Sequence, residues 1–186
     1  MRVVIASHSG YGHTRKLAES VAAGAASVSG TDVAMVDVAG IDAAGWDRLA
    51  AADAIVFGAP TYMGGASGPF KVFADASAKV WLAQGWKNKL AGGFTCSLNM
   101  SGDKYATLMY FVTLSMQHSM IWVGTGLLPP QNPGAPDELN RLGSSIGVMG
   151  QAGNVSPELE PPQGDLDTAE HYGRRVAETA QRLRAG

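Results

Sequence analysis

The sequence predicts an α/β protein, an open doubly wound parallel sheet with helices on both faces. Short, almost uninterrupted apolar runs such as Val3–Ala6 and Ala54–Ala59 end abruptly in turn residues. They have the length and the β-branched content of strands buried on both sides. Between such runs lie stretches whose apolar residues recur every three or four positions, the period of a helix with one buried face. Small and hydroxyl residues follow the first, third and fourth runs, where an open parallel sheet places its ligands.

The chain has 186 residues, 46% of them hydrophobic and 16% charged. That suffices for one sizeable core and is short for two ordinary domains, so residues 1–186 are read as one domain. The first strand breaks into Ser7-His8-Ser9-Gly10-Tyr11-Gly12-His13, and from Thr14 a helical pattern runs through Leu17, Val21, Ala25 and Val28. Asp32–Asp37 is a second strand, and Ala43–Ala52, with Trp46 and Leu49, a second helix. The third strand, Ala54–Ala59, stops at Pro60. The loop through Gly68 leads to Pro69 at a helix start, where its missing N–H costs nothing, and Phe70, Phe73, Ala76 and Val80 mark a buried face. Ala91–Cys96 is a fourth strand, Ser97–Asp103 a polar loop, Tyr105–His118 a helix, and Met120–Val123 a fifth strand. Gly124–Gln163, rich in Gly and Pro, reads as a long surface excursion. Leu166, Ala169, Gly173, Val176, Ala180 and Leu183 form a closing helix, with aspartates near its start and arginines near its end to suit the dipole.

A formal net charge of -2 gives no electrostatic footprint for nucleic acid or an anionic membrane. No stretch has signal or transmembrane length, which makes the cytoplasm the expected compartment. Cys96, a lone cysteine, excludes an internal disulfide and reads as a small buried strand residue. His8 and His13 lack a third ligand at convincing spacing, so no metal site is expected.

The first loop gathers glycine-freed backbone amides and the hydroxyls of Ser9 and Thr14 at the positive end of a helix, a cup for phosphate without Lys inside it. Gly10-Tyr11-Gly12 is followed by His13, Thr14 and Arg15, so the third glycine of a dinucleotide fingerprint is missing. Neither a nucleoside-triphosphate loop nor a nucleophile elbow occurs. A mononucleotide remains. Ser9-x-x-Gly12-x-Thr14, followed by Ala18 and Val21, has the spacing of the flavodoxin signature.

With Gly58-Ala59-Pro60-Thr61-Tyr62-Met63-Gly64, Ser67-Gly68, Trp81, Lys89-Leu90-Ala91 and His118-Ser119-Met120, the chain resembles the WrbA family of NAD(P)H:quinone oxidoreductases over Met1 to about Gly126. The resemblance implies a flavodoxin-like, five-stranded parallel sheet of order 2-1-3-4-5. It further implies FMN as cofactor, NADH or NADPH as donor, a quinone-like acceptor, and assembly into homodimers or homotetramers. Carried over, Ser9, Gly10, Gly12, His13 and Thr14 would hold the phosphate, and Tyr11 would lie beside the donor. Pro60, Thr61, Tyr62, Met63 and Gly64 would flank the isoalloxazine. Cys96, Ser97, Leu98, Asn99, Met100, Ser101 and Gly102 would line its pyrimidine edge, with His118 near the ring and Trp81 in the substrate crevice. Tyr62 stands where the family tends to carry an arginine, and Leu98–Ser101 where it carries glycines. No catalytic side chain is expected, since the flavin carries the chemistry. Three other readings stay open: a flavodoxin-type electron carrier, an FMN-dependent reductase of nitro or azo compounds or free flavin, and a non-catalytic subunit that keeps the fold without flavin.

Overall fold

The computed structural model describes residues 1–130 and 136–185, so the part of the expected excursion at 131–135 lies outside the described residues. In chain order the elements are β1 (Arg2–Ser7), α1 (His13–Ala26), β2 (Asp32–Asp37), α2 (Ala43–Ala50), β3 (Ala54–Tyr62) and β4 (Gly65–Ala66). They continue with α3 (Gly68–Ala76), α4 (Ala78–Leu82), β5 (Leu90–Ser97), α5 (Lys104–Gln117), β6 (Ile121–Trp122), β7 (Val148–Gln151) and α6 (Gln163–Ala185). The sheet runs β2-β1-β3-β5, with β6 and β7 both on β5. Every pairing is parallel except that of β4, which folds back antiparallel on β3. The order is the expected 2-1-3-4-5, with the flavodoxin-like arrangement of helices on both faces.

The fifth position departs from expectation. Only Ile121–Trp122 of the anticipated strand joins the ladder, opposite Leu90 and Ala91, while Val148–Gln151 supplies the other half opposite Phe94–Ser97. The chain leaves the sheet between them, and the Trp122 indole N–H donates to the Ile146 carbonyl at 2.8 Å as it returns. The surface excursion is therefore partly internal: Thr125, Ser144, Val148 and Ala152 are buried.

Side-chain alternation along the strands feeds two cores. Val3, Ile5, Val56 and Phe94 meet Leu17 and Val21 of α1 and Tyr172 and Val176 of α6. Val4, Ile55, Phe57 and Ala91 meet Leu49, Phe70, Phe73, Trp86 and Phe111 on the opposite face. Phe70 and Phe111 are in ring contact, their centroids 4.7 Å apart. Helices α1 and α6 touch backbone to backbone through two glycines: a Cβ on Gly24 would lie 1.8 Å from the Glu170 carbonyl oxygen, and one on Gly173 1.9 Å from that of Val21. This contact braces the helix whose N-terminus forms the site. No described helix is long and apolar enough to cross a membrane.

Candidate functional site

Helices α1 and α2, which both start at the carboxyl end of the sheet, are capped differently. Asp42 caps α2 by accepting from the Gly45 amide at 2.8 Å. Helix α1 begins after Gly12, left-handed at φ 98°, which has no side chain to offer. Ser9 Oγ closes the turn by accepting from the Gly12 and Arg15 amides at 3.1 and 3.2 Å. The amides of Gly10, Tyr11, His13 and Thr14 have no acceptor among the described residues. Those donors, at the positive end of a 14-residue helix, form an anion site made of neutral groups.

The second loop is a two-residue hairpin between β3 and β4. Met63 and Gly64 both have positive φ, 47° and 80°, the geometry in which a tight turn matches strand twist. It carries Tyr62 to the first loop, edge-on to Tyr11 with centroids 6.3 Å apart. A Cβ on Gly10 would sit 2.5 Å from the Tyr62 hydroxyl oxygen, so glycine there leaves room for the phenol. Burial, then the neighbouring Tyr11 and Cys96, push the Tyr62 pKa up, and the ring remains neutral. Thr61, one residue back, points to the opposite face. Thr95 donates to the Ala59 carbonyl at 2.7 Å, and the buried hydroxyl chain continues through Thr61 to Thr107 at 2.7 and 2.8 Å. Strand alternation turns the Thr61 side chain away from the pocket, where it props the loop from below and leaves its backbone to flank a ring.

In the third loop, Cys96, Ser97 and Leu98 line the pocket, whereas Asn99, Met100 and Ser101, which follow, are exposed and outside its lining. Burial pushes the Cys96 thiol up to about 12, which makes it a wall and not a nucleophile. Beneath this loop lies a group that sequence reasoning missed. Lys104, the first residue of α5, is fully buried, and its Nζ donates to the carbonyls of Asn99 and Met100, the latter at 3.0 Å. Gln151 Nε2 donates to the Leu98 carbonyl at 3.2 Å. The Gln151 side chain also accepts from Arg141, which pairs with buried Asp165 at 2.7 and 3.0 Å. A lone lysine just after a polar loop carries no sequence signal that separates it from a solvated one.

A fourth loop was also missed. Ala152, Gly153, Asn154 and Val155, just past β7, close the pocket against the first loop. The His13 imidazole Nε2–H donates to the Val155 carbonyl at 2.9 Å, and Lys16 pairs with Glu158 at 2.8 Å. His13 thus holds a neighbouring loop with its ring and offers its amide to an anion. The cavity between Tyr11, Tyr62, Pro60, Leu98 and Val155 has a volume of about 380 Å³.

Two carried-over residues do not reach this cavity within their own chain. His118 is buried at the opposite edge of the sheet, where Trp86 leads into β5; its ring lies tilted against Trp86 with centroids 4.3 Å apart and bonds Ser77 Oγ through Nε2 at 2.9 Å. Trp81 lies on the short α4, which also leads away from the pocket, and is 45% exposed. Trp81 follows β4, on the connection that carries the chain back to the amino ends of the strands, and His118 ends α5, which makes the same return after β5. An open cradle of amides beside an aromatic-walled slot fits FMN.

The comparisons with known proteins agree with this geometry. The model of the NADPH-dependent FMN reductase family matches residues 1–129. Flavodoxin FldP of Pseudomonas aeruginosa (strain UCBPP-PA14) is 40% identical over 185 residues, 99% of each chain. An NAD(P)H dehydrogenase (quinone) of Geobacter metallireducens is 33% identical over 207 aligned positions, 99% of this chain and 100% of the other. The crystal structure of a flavodoxin, WrbA-like protein from Agrobacterium tumefaciens superimposes with a TM-score of 0.77 at 42% identity, covering 97% of this chain and 98% of that one. The open helix terminus, the aromatic slot and the family match lead to one conclusion: this chain belongs to the NADPH-dependent FMN reductase family of flavodoxin-like flavoproteins.

Proposed function

We propose that the protein is an FMN-dependent oxidoreductase that takes two electrons from NADH or NADPH and delivers them to a quinone-like acceptor. The balance is NAD(P)H plus a proton plus quinone, giving NAD(P)+ and hydroquinone. Bound FMN supplies hydride acceptance and donation. The protein seats it. Amides of the first loop, with the hydroxyls of Ser9 and Thr14, hold the phosphate, and Tyr62 and Pro60 limit the ring on one side. The single observation that carries the reading is the lining of the pocket: beyond the phosphate cup its walls are Tyr11, Tyr62, Pro60, Leu98, Ala152 and Val155, with no Lys, Arg, Asp or Glu among the lining residues. Such a mouth favours flat, uncharged rings such as a nicotinamide or a quinone. Relatives named NAD(P)H dehydrogenase (quinone) support the same assignment.

Exposed Val72, Trp81 and Leu82 on α3 and α4 support the expected assembly into dimers or tetramers, to be read by light scattering. A second reading, an electron carrier, is favoured by the 40% relative named a flavodoxin. Anaerobic addition of NADH or NADPH to the FMN-loaded protein separates the two. Rapid bleaching followed by steady turnover with benzoquinone supports the reductase. A flavin that stays oxidised with both donors yet is bleached by dithionite supports the carrier.

A further inference from the structure

Lys104 has a cost that its surroundings must offset. It is a fully buried cation in the first turn of a helix, where the dipole disfavours positive charge. The preceding Asp103 is left-handed at φ 53° and offers no capping side chain to α5. Burial pushes the lysine pKa down. Its ammonium is spent on two carbonyls of the third loop, those of Asn99 and Met100, while Gln151, tied to the Arg141–Asp165 pair, takes the carbonyl of Leu98. Three consecutive carbonyls are thus held by side chains of α5 and β7. In a trans peptide the N–H points opposite to the carbonyl of the same unit. Fixing the carbonyls of residues 98, 99 and 100 therefore turns the amides of Asn99, Met100 and Ser101 to the other side of the loop. These amides have no acceptor among the described residues.

We propose that Lys104 is a positioning residue that presents the third loop to the flavin amide-first, and so biases the bound flavin toward its reduced, more negative form. The side chain touches neither flavin nor substrate. It acts through the loop, as preorganised donors stabilise developing charge without reorganising. The inference rests on the FMN reading above and deepens it by naming what sets the redox poise of the site.

The test compares FMN-loaded wild type with Lys104→Met and Gln151→Ala, measuring oxidised FMN affinity by fluorescence quenching and the two-electron midpoint potential against a reference dye. In Lys104→Met the preference for reduced over oxidised flavin should fall tenfold or more, a potential lower by about 30 mV. Gln151→Ala, which frees the Leu98 carbonyl, should move it the same way by less. If Lys104→Met does not fold, Gln151→Ala alone decides. An unchanged potential in a folded variant, or equal weakening of both redox forms, means the lysine is only a scaffold and overturns the proposal. A wild type that binds no FMN overturns the cofactor reading itself, a different result in a different sample.

Discussion

Replacing Thr14 with valine isolates the contribution of the phosphate cup. Thr14 is 2% exposed, lines the pocket, and its hydroxyl has no partner among the described residues. Valine keeps the shape and removes the donor. A hydrogen bond to a charged group contributes about 1.5–3 kcal/mol, and about 1.4 kcal/mol is a factor of ten in affinity, so FMN should bind about 10- to 150-fold more weakly. The hydroxyl has no protein partner to lose and faces the pocket, so its removal should leave the stability of the apoprotein about the same. Ser9→Ala provides the contrast. Its oxygen already accepts from two amides, so that variant should lose about 1 kcal/mol of stability as well as affinity. Fluorescence-quenching titrations with FMN and with riboflavin, which lacks the phosphate, are the assay: Thr14→Val should weaken FMN and leave riboflavin unchanged. Equal losses for both ligands would refute a phosphate contact at Thr14, and so would undiminished FMN binding.

Other expectations follow from the same geometry. Gly173→Ala drives a Cβ to within 1.9 Å of the Val21 carbonyl oxygen, where no side chain can yield; the cost of about 3 kcal/mol should lower Tm by about 6–12 °C, and an unchanged melt would mean that α1 and α6 do not touch as described. Cys96, with its thiol pushed up to about 12, should resist iodoacetamide at pH 8 in the native state and react fully in denaturant. His118 is held below its ordinary pKa of 6.5 by burial, and its Nδ1 is buried without a partner. The unfolded chain therefore binds a proton that the folded one refuses, so stability should fall as pH drops below 6.5, by up to about 1.4 kcal/mol per pH unit. His118→Phe should flatten that dependence in denaturant melts; an identical pH profile would show that another group is responsible.

Local patterning made the first three ligand loops legible, because each follows a strand whose apolar run is unmistakable. The Ser9–Thr14 cup needed no tertiary information beyond the strand before it and the helix after it. The fourth loop was hidden because β7 lacks a pattern of its own. Val148-Met149-Gly150-Gln151 becomes a strand only through pairing with Phe94–Ser97, more than fifty residues away in sequence. The same long-range closure splits the fifth strand. Resemblance also placed His118 and Trp81 at the ligand, whereas within one chain the return connections after β4 and after β5 carry Trp81 and His118 to the far edge. Thr61 was legible as part of its loop, but the direction of its side chain follows from alternation along β3, where a shift of one residue changes the face.

The distribution of positive charge explains how one pocket can hold a phosphate and still admit neutral rings. Lys104 and Arg141, the cations nearest the third loop, are buried beneath it, the first on carbonyls and the second on Asp165. Near the first loop, Arg15 and Lys16 are paired outward with Glu19 and Glu158. Inside the cavity only oriented amides and hydroxyls remain, carrying partial charges that fall off within a turn of helix. A guanidinium over the ring would attract anions to the mouth and would have to be desolvated by each uncharged ligand that enters. Tyr62 instead offers a neutral, flat surface, and the charge that seats the phosphate stays at the far end. On the proposed reading, seating the cofactor and exchanging substrates would thereby be separated along the length of the slot, with the buried lysine holding the wall between them.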